Sequence, residues 1–299
     1  TIPGTTLPGE EVVLGAHQDS INSSGQTASA PGADDDASGI ATLTEVIRVL
    51  VAKNYQPART VKFMAYAAEE VGLRGSNAIA TDYSNRSVNV VGVMQLDMTN
   101  YKGSTTKDIV FITDFTNAPQ NQFVMDLVQT YLPTLTVGTS VCNYGCSDHA
   151  SWTSKNYPAS FPFEATFGEH NSVIHSANDT LARSNNSAAH AVKFSKLALA
   201  YVGELAKGGV AATAPNNARA DFDGDGKTDI SVFRPDSGVW YINRSSQGFL
   251  ALNWGISTDT LIPADYSGDG KTDIAVFRAN NDANSPDFYI LRTSDFTFR

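Results

Sequence analysis

Side chains able to hold a cation or move a proton stand in this sequence just past short apolar runs. Residues 12–16 lead to His17 and Asp19, residues 62–67 to Glu69 and Glu70, and residues 93–96 to Asp97. If those runs are strands of an open α/β sheet, their carboxyl ends border one crevice, so these five side chains are expected to converge. The segment GADDDASG, residues 32–39, adds Asp34, Asp35 and Asp36 just before an amphipathic helical pattern. Capping a helix, or complementing the field at its N-terminus, needs only one carboxylate. Three beside the strand end that bears His17 would repel unless a cation neutralised them. His175 lies in an Asn- and Ser-rich loop ahead of Asp179. A lone histidine is more often a surface or core residue than a ligand, but here carboxylates already await a partner. Imidazole nitrogen mixed with carboxylate oxygen suits zinc in a catalytic site that keeps one position open to water.

For these groups to meet, strands and helices must alternate. Residues 11–16, 60–67, 88–96 and 109–113 are apolar runs bounded by Gly, Asn and Asp, which predicts buried strands. Residues 39–52 place Ile40, Leu43, Val46, Ile47 and Leu50 at helical spacing, and residues 123–131 and 187–205 read as helices with Ala-rich faces. This order implies an α/β unit, a mostly parallel mixed sheet flanked by helices. Residues 208–219 are small, polar and Pro-containing, which predicts a linker. A catalytic domain is therefore expected over residues 1–207 and a second domain over 220–299.

The second region contains a repeat. ADFDGDGKTDISVFR at residues 220–234 returns as ADYSGDGKTDIAVFR at residues 264–278. Each copy leads into an aromatic strand, Trp240-Tyr241-Ile242 and Phe288-Tyr289-Ile290, so a small all-β module is expected. Asp221, Asp223, Asp225 and Asp229 alternate along the first loop with Gly at the tight bend, the arrangement a hard cation such as calcium requires. Asp265, Ser267, Asp269 and Asp273 repeat it. The copies resemble FG-GAP or VCBS-type repeats used as propeller blades. Two blades cannot close a propeller. Either further repeats follow, or the open pair is stapled by its ions.

Composition narrows the function classes. A 41% hydrophobic chain of 299 residues can fill one good-sized core and a smaller one, and no apolar run approaches the length of a membrane helix. A net charge of -10 without any basic stripe argues against nucleic acid or an anionic membrane as partner and suits cations instead. Cys142 and Cys146 either close a tiny disulfide loop or remain buried thiols; a setting outside the cell favours the bond. No signal-peptide pattern stands at Thr1, so a leader has been removed or the chain is a fragment.

Taken in order, His17-Gln18-Asp19, GADDDASGI, MAYAAEEVGLRGS, QLDMTNYKGS, CNYGCSDHASW and IHSANDT resemble the successive motifs of the bacterial secreted leucyl aminopeptidases, across residues 12–205. The resemblance implies a zinc aminopeptidase α/β/α sandwich and two zinc ions. Asp35 would bridge them, His17 and Asp97 would complete one site, and Glu70 and His175 the other. It also implies a non-proline cis peptide after Asp35 and a role for Asp19 in orienting the His17 ring. Two adjacent glutamates cannot readily serve one metal, so one is left to accept a proton; the resemblance makes Glu69 that general base. Tyr144 matches a tyrosine that hydrogen-bonds the developing oxyanion. Met98, Ile112, Cys142, Cys146, Phe161, Phe163, Phe167 and Ile174 would wall an apolar pocket suited to leucine-like residues, with His170 where relatives carry Tyr. Relatives have several tens of residues before the strand bearing the first histidine; a chain starting inside that segment would lack part of the sheet.

The expectation is a secreted, monomeric aminopeptidase that removes hydrophobic N-terminal residues from peptides or proteins, with calcium in a tail that binds an extracellular target. Two alternatives share some of these features: a glutaminyl-cyclase-like zinc transferase, and a calcium-dependent binding protein carrying a relic peptidase domain. His149 is expected to pack at the start of a helix, and His190 to sit on a solvated helix face.

Overall fold

The structure, a computed structural model, describes residues 1–210, 220–279 and 285–298. The chain forms two compact units, Thr1–Ala211 and Ala212–Arg299. In the first, the elements run β1 (Leu7–His17), α1 (Ala37–Ala52), β2 (Tyr55–Gln56), β3 (Arg59–Tyr66), α2 (Arg74–Asn85), β4 (Asn89–Gln95) and β5 (Ile109–Ile112). They continue through α3 (Ala118–Tyr131), β6 (Val137–Ser140), α4 (His149–Thr153), β7 (Ala159–Phe163), a 3-10 turn (Leu181–Ser184), α5 (Ala191–Leu205) and β8 (Gly209–Val210). Six strands form one sheet in the order β3-β1-β4-β7-β5-β6, parallel except where β5 runs against β7. This is the mixed sheet flanked by helices that the alternating pattern implies.

Central strands are covered on both faces, which explains why β1 reads as a continuous apolar run: Val12, Val13, Leu14 and Ala16 are all fully buried. Helix α1 lays Leu43, Val46 and Leu50 on one side of that strand, where they share a core with Phe194, Leu197 and Tyr201 of α5. Burying each such side chain contributes about 1.5–3 kcal/mol. On the opposite face Val13, Tyr66 and Val93 pack with Tyr83 of α2 and Trp152 of α4. The first turn of α1 nearly touches the end of β4: a Cβ on Gly39 would lie 2.1 Å from the Leu96 carbonyl oxygen. Only glycine lets these two chain segments, and the aspartates they carry, come so close. Residues 209–210, expected in the linker, instead pair with β2; residues 211–219 lie outside the described residues.

The second unit holds two three-stranded antiparallel sheets. The first comprises β9 (Ile230–Arg234), β10 (Val239–Arg244) and β11 (Gly248–Asn253), and the second β12 (Thr260–Leu261), β13 (Ile274–Phe277) and β14 (Phe288–Leu291). Phe222, Trp240 and Ile242 of the first copy share a core with Ile274, Val276 and Leu291 of the second.

Candidate metal centre

The ends of β1, β3 and β4 and two loops gather the acids and imidazoles singled out above. Asp35 stands between two histidines, with its Oδ1 3.1 Å from His17 Nε2 and its Oδ2 3.1 Å from His175 Nε2. On one side Asp97 Oδ1 is 3.6 Å from the same His17 nitrogen; on the other, Glu70 Oε2 is 2.8 Å from the His175 nitrogen. Nitrogen and oxygen ligands bound at zinc distances in a tetrahedron sit about 3.3 Å apart, so these spacings match two ligand edges meeting at one carboxylate. Both oxygens of Asp35, Asp97 Oδ1, the Glu70 carboxylate and the two histidine nitrogens are the atoms that would contact the ions.

The charges fit cations as well. Burial alone would push His17 down, yet Asp97, Asp35 and Asp36 carry it far above its ordinary value. Hydrogen bonds to Asp35 and Glu70 raise His175 to about 10. Burial would raise Asp35, but both imidazoles hold it down at about 2. Protons on the imidazoles thus stand in for positive charge that the carboxylates demand. Buried Asp97 Oδ1 and Glu70 Oε1 have no hydrogen-bond partner, the condition expected of an oxygen reserved for a metal. The residues present therefore fit a pair of zinc ions.

The surrounding hydrogen bonds fix the ligands in place. Asp36, whose carboxylate also comes within ligand distance of His17 and Asp97, is engaged by the main chain. Its Oδ2 accepts from the His17 N–H, while Oδ1 accepts from the N–H groups of Gly39 and Met98, so it caps α1 and ties that helix to β1 and the loop after β4. The peptide between Asp35 and Asp36 is cis, as the resemblance implied. Ser147 Oγ donates to Asp97 Oδ2 at 2.6 Å. Asp179 accepts from the N–H groups of Asp34 and Asp35 and from Asn171 Nδ2, holding the aspartate turn from below. Asp19 differs in detail from expectation: its carbonyl oxygen meets His17 Nδ1 at 3.0 Å, whereas its carboxylate lies 3.7 Å away and accepts from the N–H groups of Glu69 and Glu70.

Glu69 borders the same cavity as Asp35, Glu70, Asp97 and His175 but takes part in neither imidazole contact. Burial, and then the negative charge of Asp97, pushes it up to about 9. A carboxyl with high proton affinity beside this group of acids and imidazoles is equipped to shuttle protons.

The cavity, about 360 Å³, is walled by Met98, Cys146, Phe161, Phe163, Phe167 and Ile174, and by Tyr144 at its rim. Two expected wall residues are not there. Ile112 is fully buried, because β5 runs against β7 and sets it opposite Phe161 as backing. Cys142 is also buried behind the wall, and it is disulfide-bonded to Cys146 with a Cα–Cα separation of 6.3 Å. Gly72, Leu73 and Gly145 line the cavity unforeseen, and His170, singled out where relatives carry Tyr, lines it too; it packs on Phe167 with ring centroids 5.0 Å apart. His149 packs against Phe161 as expected, fully buried. His190 does not face solvent: it is 5% exposed at the start of α5, with Nε2 donating to the Glu164 carbonyl.

In the second unit, oxygens of Asp221, Asp223 and Asp225 come within ligand distance of one another. Asp229 and Asp273, read from sequence as ligands, lie outside that group and accept from the main chain. Asp229 accepts from the N–H groups of Phe222 and Ser245, and Asp273 from those of Tyr266, Ser267 and Thr293. Asp265 accepts from Gly268, Asp269 and Gly270.

Comparison with known proteins places both regions. Residues 1–202 match peptidase family M28, and residues 221–298 match the FG-GAP-like repeat. Leucine aminopeptidase 1 of Coccidioides posadasii is 39% identical over 216 residues, covering 69% of this chain and 54% of that protein. The crystal structure of Legionella pneumophila LapA aminopeptidase is similar with a TM-score of 0.60 at 37% identity, covering 66% of this chain and 51% of that one. A glutaminyl cyclase of Bacteroides thetaiotaomicron, 16% identical with a TM-score of 0.52, shares the fold alone. This chain spans about half the length of the curated relatives it matches. Those relatives are fungal and the similar solved structures bacterial, so the likeness extends beyond bacterial proteins.

Proposed function

Since this chain belongs to peptidase family M28, we propose that it is a two-zinc aminopeptidase that removes leucine-like residues from peptide N-termini. The observation that carries this reading is Asp35, whose two oxygens each face a different imidazole at 3.1 Å. His17 and Asp97 would hold one ion, Glu70 and His175 the other, with Asp35 shared. When bound, zinc in such a pair lowers the pKa of water and polarises a carbonyl. Glu69 takes the proton from the attacking water and returns it to the departing amine. Tyr144, which borders the cavity beside Glu69, donates its hydroxyl hydrogen to the oxygen that gains charge. Phe161, Phe163, Phe167 and Ile174 exclude water and receive an apolar first side chain. The Cys142–Cys146 bond supports action outside the cell, where disulfides persist. The gathered oxygens of Asp221, Asp223 and Asp225 support calcium in the first repeat loop.

Zinc-loaded protein should hydrolyse leucine p-nitroanilide much faster than its aspartate counterpart. Glu69→Gln should keep its zinc and lose about 10²–10⁴-fold in turnover, the scale of general-base catalysis. Loss of zinc from that variant would show that Glu69 is a ligand and refute its assignment as base.

A further inference from the structure

Tyr144 has one hydroxyl hydrogen to place with precision, yet its own packing does little to hold it. The side chain is 57% exposed, and its ring meets Phe167 edge-on with centroids 6.2 Å apart. It stands in residues 141–148, between β6 and α4, which belong to neither strand nor helix. Neither burial nor a regular ladder aims it, so the side chain is only as well placed as the main chain beneath it. The Cys142–Cys146 bond closes that stretch on itself, but a closed loop can still swing about its ends.

What ties the loop to the sheet is Asp114. Strands β5 and β6 run parallel as far as Ile112 and Ser140, and just past that pair the Thr113 N–H donates to the Ser140 carbonyl. There the Asp114 carboxylate takes over from the ladder. Its Oδ1 accepts from the Cys142 N–H at 3.2 Å and its Oδ2 from the N–H of Asn143. Hydrogen bonds to an ionised acceptor are about twice as strong as neutral ones. Asn143 is left-handed, with φ at 68°, a conformation that its short amide tolerates better than most side chains do. The N–H groups of the two residues directly before Tyr144 are therefore held by one carboxylate, and the bend between them sets the direction in which the chain enters the cavity wall. Asp114 is not among the described residues that line the cavity, whereas Tyr144, Gly145 and Cys146 are. We propose that Asp114 is a positioning residue for the reaction: it aims the Tyr144 hydroxyl at the oxygen that gains charge, without itself reaching the substrate. This rests on the role given to Tyr144 above.

A double-mutant cycle on the zinc-loaded full chain, read as kcat and KM for leucine p-nitroanilide, tests the assignment. Tyr144→Phe should lose about 10²-fold in kcat, the scale of one oxyanion donor. Asp114→Ala should lose on the order of tenfold in kcat, with KM within about twofold and zinc content unchanged, because a small misplacement weakens a bond made only as charge develops. With Tyr144→Phe already in place, the same Asp114 change should cost less than about twofold, since no hydroxyl is left to aim. Asp114→Asn keeps one acceptor oxygen, so it should lose less than Asp114→Ala, and it serves if the alanine variant fails to fold. Wild-type kcat in Asp114→Ala overturns the proposal. So does a loss by the same factor with and without the Tyr144 hydroxyl, or a loss of zinc, since Asp114 would then act through the fold or through Asp97, which accepts from Ser147 at the far end of the loop. Full turnover in Tyr144→Phe alone would refute the role of Tyr144 itself, and would leave Asp114 nothing to position.

Discussion

Asp179 makes no contact with either imidazole, yet it determines where Asp35 can point. Its carboxylate takes the N–H groups of Asp34 and Asp35, so the turn that offers two oxygens to two histidines hangs from this one side chain. Replacing Asp179 by Asn puts a donor where two N–H groups need an acceptor. Partners of ligands typically account for ten- to a hundredfold in metal affinity, and a loss of that size is expected here. Zinc retention against a graded chelator measures it; unchanged retention would mean the turn holds itself. Most of the residues that gather at the site were legible in sequence because they stand just past a strand or beside a helix start, as His17, Asp97 and Asp35 do. Their supports were not. Asp179, Glu164 and Ser147 act across 50 to 145 residues of chain, a distance at which no local pattern links donor to acceptor.

At the scale of elements, α5 shows what spacing alone misses. Its apolar stripe was plain, but the placement of His190 depends on the chain that passes over the helix start. There Nε2 donates to Glu164 and Nδ1 lies 3.2 Å from Lys193 Nζ, which fixes the neutral ring with Nδ1 as acceptor. Burial, helped by Lys193 and Lys102, pushes His190 down to about 4. Because the unfolded chain binds the proton more readily, the stabilisation is complete above about pH 6.5 and is lost as pH falls toward 4, amounting to about 2 kcal/mol by pH 5. His149, brought down to about 3 by burial, adds to the same window. Urea unfolding at pH 7 and pH 5 should show His190→Gln losing less stability over that interval than the wild type; an equal loss would place the proton elsewhere. The strand β7 and helix α2 also escaped the sequence reading. β7 is five residues long, all buried, and α2 is largely polar, so neither offers an apolar run long enough to stand out.

Across the whole molecule, the two units rest on different forces. The first has buried apolar clusters on both faces of its sheet, whereas the second has, among the described residues, one small cluster and loops whose carboxylates knit the turns. Removing calcium, bound as proposed by Asp221, Asp223 and Asp225, leaves those charges to repel. Chelation with a calcium-selective agent should therefore lower the melting temperature of the second unit while leucine p-nitroanilide turnover stays within twofold; calorimetry resolves the transitions. Equal losses in both would mean that the units melt as one. The boundary was legible from composition, since glutamate vanishes after the first region, and so was the repeat. Which aspartates face a cation was not, because main-chain N–H groups and ions compete for the same oxygens.

The residues proposed to hold zinc come from β1, from the turn before α1, and from segments following β3, β4 and β7. An unfolded chain has no such assembly, so by mass action the ions favour the native state, by about 2.7 kcal/mol for each held at a hundred times its dissociation constant. Scarcity of zinc thus has a twofold effect. It silences the chain and, by leaving a nest of mutually repelling acids in its middle, shortens the time that chain survives among other proteases.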